Sequence, residues 1–163
     1  MISRAAAFFA VVILLAACAA NAAAPQLRAK KTISLEGAKK MAAASEAYAV
    51  KNGLHITIAI VDDGGHLVYL ERMDGAPFNT MEVTQEKAVT AAGFNQPTKF
   101  FKDQVTTGGA GNGFLSLPEV RAMAGAYPVM IQGEEIGAIS VGGAMDAYDE
   151  ECAKAGMAAL TMN

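Results

Sequence analysis

Residues 56–77, ITIAIVDDGGHLVYLERMDGAP, decide the fold of this chain. Ile56, Ile58 and Ile60 alternate with Thr57, Ala59 and Val61, the period-two spacing of a strand whose two faces meet different neighbours. Asp62-Asp63-Gly64-Gly65 breaks the run with residues that take up positive φ cheaply, and a second β-rich run follows, so the pattern predicts an antiparallel hairpin. Its turn and its Arg72-Met73-Asp74-Gly75 exit place His66, Glu71, Arg72 and Asp74 at or near the hairpin ends, where polar groups stay reachable.

Outward from the hairpin, helical signals alternate with strand signals. Ser34 caps a helix to about Lys51, with Leu35, Ala38, Met41, Ala42, Ser45 and Ala49 on one face and Asn52-Gly53 as its stop. After Pro77, Asn79 or Thr80 caps a second helix from Met81 to about Ala92, and Pro97 opens a third from Thr98 to Val105. The glycine-rich stretch 106–113 reads as a mobile loop or pocket lid, and Ser116-Leu117-Pro118-Glu119 as a capping box that starts a helical turn through Met123. Tyr127–Ile131 and Ile136–Val141 form a second hairpin around residues 132–135, and a last helix runs from Asp146 to Leu160. Strands joined by tight turns pair antiparallel, so the fold class is α+β: a four- to five-stranded antiparallel sheet flanked by helices.

The chain has 163 residues, enough for one core plus a short appendage. Thirteen Lys and Arg stand against 16 Asp and Glu, and the basic residues are scattered, which excludes the phosphate-neutralising patch that nucleic acid requires. Residues 1–24 read as an export signal: Arg4 is the positive n-region, Ala5–Ala17 the apolar core, and Ala20-Asn21-Ala22 a cleavage site. Leu15-Ala16-Ala17-Cys18 equally matches a bacterial lipoprotein site, which would leave Cys18 lipidated and the protein anchored to a membrane. Both readings stay open, so the protein is expected to be exported and periplasmic, lipid-anchored or secreted. Residues 25–31 form a linker and 32–163 the folded domain. Cys152, with Glu150 and Glu151 beside it, reads as a packing residue rather than a nucleophile.

Few side chains carry candidate chemistry. The glycines of 108–113 lack the preceding strand and the Lys-Ser/Thr ending of a phosphate loop. His55 and His66 are the two histidines, and either imidazole can ligate a haem iron or a metal, although each alone reads first as a polar turn residue. Lys87 alone reads as a solvated lysine; jointly with Arg72 it can hold carboxylates such as haem propionates or a small organic acid. Glu82 and Glu86, four apart on one helical face, form a weak candidate for a hard cation. No Ser-His-Asp arrangement or other acid/base constellation is indicated, which favours binding over catalysis.

Several segments in order resemble the GlcG/HbpS family, which is also similar to the C-terminal domain of PduO-type proteins. They are Ile60–Val68, Arg72–Ala76, Glu86–Ala91, Pro97-Thr98, Gly125–Val129, Ile136–Gly143 and Asp149-Glu150, and the resemblance covers about Leu35 to Leu160. It implies a small profilin-like sandwich that assembles into homo-oligomers and, in several members, binds haem. It also implies a link to iron or redox sensing beside membrane-bound sensor partners. His66 and Lys87 fall on motif positions, and by analogy Thr106 or Thr107 supplies a hydroxyl ligand; His55, Arg72 and Thr107 complete the candidate cofactor residues. The expectation is an exported haem-binding or haem-sensing accessory protein without turnover. The alternatives are an enzyme or accessory domain acting on a small carboxylate such as glycolate, and an oligomeric partner-docking module.

Overall fold

The computed structural model describes residues 28–161, all but the first three in the unit that begins at Lys31. The leader, Cys18 and residues 25–27 lie outside the described residues. The elements run α1 (Leu35–Lys51), β1 (Thr57–Asp62), β2 (Leu67–Arg72), α2 (Thr80–Phe94), α3 (Thr98–Thr107), a 3-10 helix (Gly109–Ser116), β3 (Ala126–Ile131), β4 (Glu134–Gly142) and α4 (Asp146–Thr161). The strands form one antiparallel sheet in the order β2-β1-β4-β3, so the α+β expectation resolves to four strands.

Both hairpins turn where the sequence asks. Asp62 Oδ1 accepts the backbone N–H groups of Gly64 at 2.8 Å and His66 at 2.9 Å, which closes the first turn. The second is tighter than expected: its loop is Gln132-Gly133, both at positive φ, the conformation that matches the twist of the flanking strands. Ser34 caps α1 by accepting the Gly37 N–H at 3.1 Å.

The two faces of β1 build two apolar layers. Ile58 and Ile60 pack with Met41, Ala42 and Ala49 of α1, Ile139 and Val141 of β4, and Cys152 and Ala153 of α4. Each fully buried isoleucine contributes roughly 1.5–3 kcal/mol. Ala59 and Val61 point the other way, onto Ala88, Ala91 and Ala92 of α2 with Ala126 and Ala138. Small side chains on both sides let α2 lie close to the sheet, and that closeness governs the site described below. Cys152 is fully buried and its thiol is pushed up to about 11, by burial first and then by the charges of Asp149 and Glu151.

Two local expectations are corrected. The glycine stretch is a 3-10 helix from Gly109 to Ser116, docked on α3 through edge-to-face contacts of Phe114 with Phe100 and Phe101. Gly111 lies so close to the Gln104 backbone that no side chain would fit, so the glycine serves an internal contact. The turn expected over 116–123 is not helical. Ser116 Oγ donates to the Gly113 carbonyl instead, and Thr90 Oγ1 donates to the Glu119 carbonyl while accepting the Arg121 N–H at 2.8 Å. The Ser116 hydroxyl is thus engaged away from the Glu119 N–H that a capping box needs, and Thr90 ties the backbone of this segment to α2.

Candidate binding site at the sheet end

Helix α2 presents Thr80, Thr84, Lys87, Ala88, Ala91 and Ala92 towards the sheet, a stripe at helical spacing. Thr80 Oγ1 meets Thr57 Oγ1 at 2.6 Å. One and a half to two turns on, Lys87 is 2% exposed, so the solvated reading of this lysine is corrected: its place on the stripe carries it under the helix. Its Nζ donates to the carbonyls of Ala124 at 2.7 Å and Val141 at 2.6 Å and lies 3.7 Å from Asp149 Oδ2. Asp149, in the first turns of α4, is 5% exposed, and its Oδ1 accepts the Ala144 N–H at 3.1 Å. Burial pushes the Asp149 carboxyl up to about 6, with Lys87 and the Ala144 N–H opposing. Burial also lowers Lys87 from its usual range, with Asp149 opposing. Two of the ammonium's three donors are thus hydrogen-bonded to carbonyls, and Asp149 balances its charge.

Gly125 makes this arrangement feasible. It sits at φ +106°, and a Cβ there would lie 2.8 Å from Lys87 Nζ, 2.8 Å from Asp149 Cβ and 2.7 Å from the Val141 carbonyl. Beside the pair opens a cavity of about 300 Å³, lined by Pro77, Asn79, Thr80, Val83, Thr84 and Lys87 from one side and Met123, Gly142–Ala144, Asp146 and Asp149 from the other. Asp146 pairs with Lys102 of α3 at the rim. Exposed apolar side chains flank the lining residues in sequence and make up an apolar collar: Phe78 is 83% and Met145 73% exposed, Met81 and Tyr148 are partly so, and Met123, itself a lining residue, is also partly exposed.

The histidines fall at opposite ends of the first hairpin. His55 precedes β1 at the cavity end, its carbonyl against Gly143 and its ring against Gly75. Its Nδ1 lies 2.7 Å from the Asp74 carbonyl; because a carbonyl only accepts, the proton sits on Nδ1 and Nε2 keeps its lone pair in the neutral ring. His66 stands in the far turn with its side chain 83% exposed and Nδ1 3.3 Å from Asp62 Oδ1. Arg72, paired across β1 with Thr57 at the cavity end, is exposed and donates to the Ala76 carbonyl at 2.7 Å. Thr107 ends α3, exposed, with its hydroxyl donated to the Asp103 carbonyl. His55 and Lys87 thus share the sheet end with Arg72, while His66 does not. Glu86 pairs with Arg121, and among the described residues no group of three or more His, Cys, Asp or Glu is gathered around a metal-sized centre.

Sequence reasoning assigns no site role to Thr84, Asp149 or the cavity-lining Gly142 and Gly143. The available signal is the stripe Thr80, Thr84, Lys87, Ala88, Ala91; Asp149 enters the sequence reading only within the Asp149-Glu150 segment of the family resemblance, without a site role.

A family model described as haem degrading protein HbpS-like matches residues 33–158. Protein GlcG of Escherichia coli strain K12 is 37% identical over 115 residues, 71% of this chain and 84% of that protein. Among solved structures, the Klebsiella pneumoniae protein ORFY superposes with a TM-score of 0.80 at 25% identity, covering 86% of this chain and 98% of that one. A double mutant of HbpS from Streptomyces reticuli gives a TM-score of 0.77 at 31% identity, covering 85% of this chain and 94% of that one. The match takes in both hairpins, α2 with Lys87 and the Gly125 and Gly142 walls of the cavity, and on that span the chain belongs to the HbpS-like family.

Proposed function

We propose that this protein is an exported haem-binding accessory protein, holding haem at the sheet-end collar with His55 as the iron ligand and without turnover of its own. The observation that carries this reading is the state of His55. A metal-bound histidine characteristically donates its other ring N–H to a carbonyl or carboxylate, which fixes the tautomer, and His55 makes that bond to Asp74. The collar supports it: a flat apolar macrocycle requires apolar cover, and Phe78, Met81, Met123, Met145 and Tyr148 offer it in the exposed segments that flank the cavity lining. A cavity of about 300 Å³ is at the small end for ligand pockets, so the collar has to provide most of the contact. His66 has a similar hydrogen bond but stands among Asp62, Asp63 and the turn glycines. Bound haem would bring a redox-active iron; the chain contributes the imidazole, its orientation by Asp74, and a water-excluding rim. The family's description, haem degradation, is tested by the same preparation.

Absorbance titration of the purified protein with haemin is expected to give a shifted, saturable Soret band at micromolar protein. His55→Ala should abolish the shift and His66→Ala should leave it. A titration without shift or saturation sinks the reading. Incubating the complex with ascorbate separates holding from degradation: a Soret band that decays to a bilin-like spectrum removes the claim of no turnover. Intact-mass measurement of the exported product tests the leader, an unlipidated Ala23 start and a lipidated Cys18 start being distinguishable by mass.

A further inference from the structure

We infer that the sheet-end cavity is a carboxylate-binding site whose recognition groups are the hydroxyl of Thr84 and the uncapped N-terminus of α2. Thr84 is fully buried, and its Oγ1 has no hydrogen-bond partner. Buried hydroxyls are nearly always paired, usually in helices with the carbonyl four residues back. The other two threonines of α2 are paired: Thr90 Oγ1 has the Glu86 and Glu119 carbonyls within reach for its one proton, and Thr80 Oγ1 bonds Pro77 and Thr57. Thr84 lines the cavity next to Gly142, where any side chain would overlap its hydroxyl, so only glycine fits against it.

The helix end beside it is also unfinished. Asn79 occupies the N-cap position with φ −73° and ψ −6°, a helical rather than extended conformation, and its side chain makes no capping bond. The first-turn N–H groups of this 15-residue helix therefore lack a side-chain acceptor, in contrast to α1, where Ser34 provides one. Asn79, Thr80, Val83 and Thr84 all line the cavity. The charged groups around it are matched among themselves: Lys87 with Asp149 and two carbonyls, Asp146 with Lys102. Glu82 is exposed and does not line the cavity. What remains is the first-turn N–H groups beyond Thr80, whose own N–H bonds the Pro77 carbonyl, and a hydroxyl that both donates and accepts. A carboxylate satisfies both, one oxygen taking the N–H donors and the other the Thr84 hydroxyl proton.

Such a carboxylate has two sources, a free small acid or a propionate of haem, and the inference does not require the haem reading. The test titrates the purified protein with acetate and glycolate by calorimetry. In parallel, absorbance titrations compare haemin with haemin dimethyl ester, whose propionates are blocked. Each is repeated with Thr84→Val, which keeps the side-chain shape and removes an unpaired hydroxyl, so its melting temperature should not fall, and with Thr84→Ser. If free acids are the ligands, Thr84→Val should weaken their binding tenfold or more and Thr84→Ser should restore it. If propionate is the ligand, haemin should bind at least tenfold tighter than its diester, and Thr84→Val should erase that difference. Binding that is insensitive to Thr84→Val in both arms, or absent in both, overturns the inference. Protection by glycolate without haemin binding keeps the inference and sinks the haem reading. Haemin binding that ignores both esterification and Thr84 does the reverse.

Discussion

At the scale of single residues, the site turns on a buried ion pair held unequally from its two sides. Lys87 has two carbonyl acceptors besides Asp149, whereas Asp149 has one backbone N–H besides Lys87. Removing the lysine strands both carbonyls and a buried carboxylate, so Lys87→Met should cost about 3–5 kcal/mol by urea denaturation. Asp149→Asn should cost clearly less, because the carbonyls still hold the ammonium. The pH dependence follows from the same burial. The carboxyl titrates from 3.8 unfolded to about 6 folded, so between those values the native state binds more protons and its stability falls as pH rises. Lys87, lowered from its ordinary 10.5, acts in an alkaline window and with the opposite sign. The stability of the wild type relative to Asp149→Asn should therefore decline from pH 4 to pH 6, by at most about 3 kcal/mol. A difference that stays flat across that interval would show that Asp149 ionises in the fold as easily as in the open chain.

At the scale of elements, what could be read in advance depended on whether a buried face was also an apolar face. The first hairpin, α1 and α4 bury Ile, Met and Ala at regular spacing, and their periodicity was legible. Helix α2 buries threonine, lysine and alanine, so a hydrophobicity pattern scarcely marks its inner side, and Lys87 looked solvated for that reason. The region from Gly109 to Met123 was misread because its local signals lost to distant partners, the Phe100–Phe101–Phe114 contacts and Thr90. Gly125 shows how tightly the elements are fitted. A methyl group there would meet Lys87, Asp149 and the Val141 carbonyl at a φ of +106°, and neither backbone nor pair can give way. Gly125→Ala should cost on the order of 3 kcal/mol or more. Gly53→Ala supplies the control, since that residue also has positive φ but meets nothing within 4 Å, and should cost about 1 kcal/mol. Equal shifts in the urea midpoint would mean that the loop before β3 moves aside freely.

At the scale of the whole molecule, the sandwich buries two apolar layers yet leaves its two most exposed large apolar side chains, Phe78 and Met145, next in the chain to residues that line one cavity. Phe78 at 83% and Met145 at 73% exposure add little to the fold, since substitutions at such positions usually stay within about 0.5 kcal/mol. Covering a phenylalanine is worth about 1.5–3 kcal/mol, and about 1.4 kcal/mol is a factor of ten in affinity. The double variant Phe78→Ser with Met145→Ser should therefore melt like the wild type while binding haemin at least tenfold more weakly. Two surfaces compete for the collar, because a second copy of the chain would also cover it. Sedimentation of the same variant separates them. An unchanged oligomeric state with weakened haemin binding assigns the collar to the ligand. A smaller assembly with unchanged haemin affinity assigns it to a contact between copies, and places the haem elsewhere than at His55.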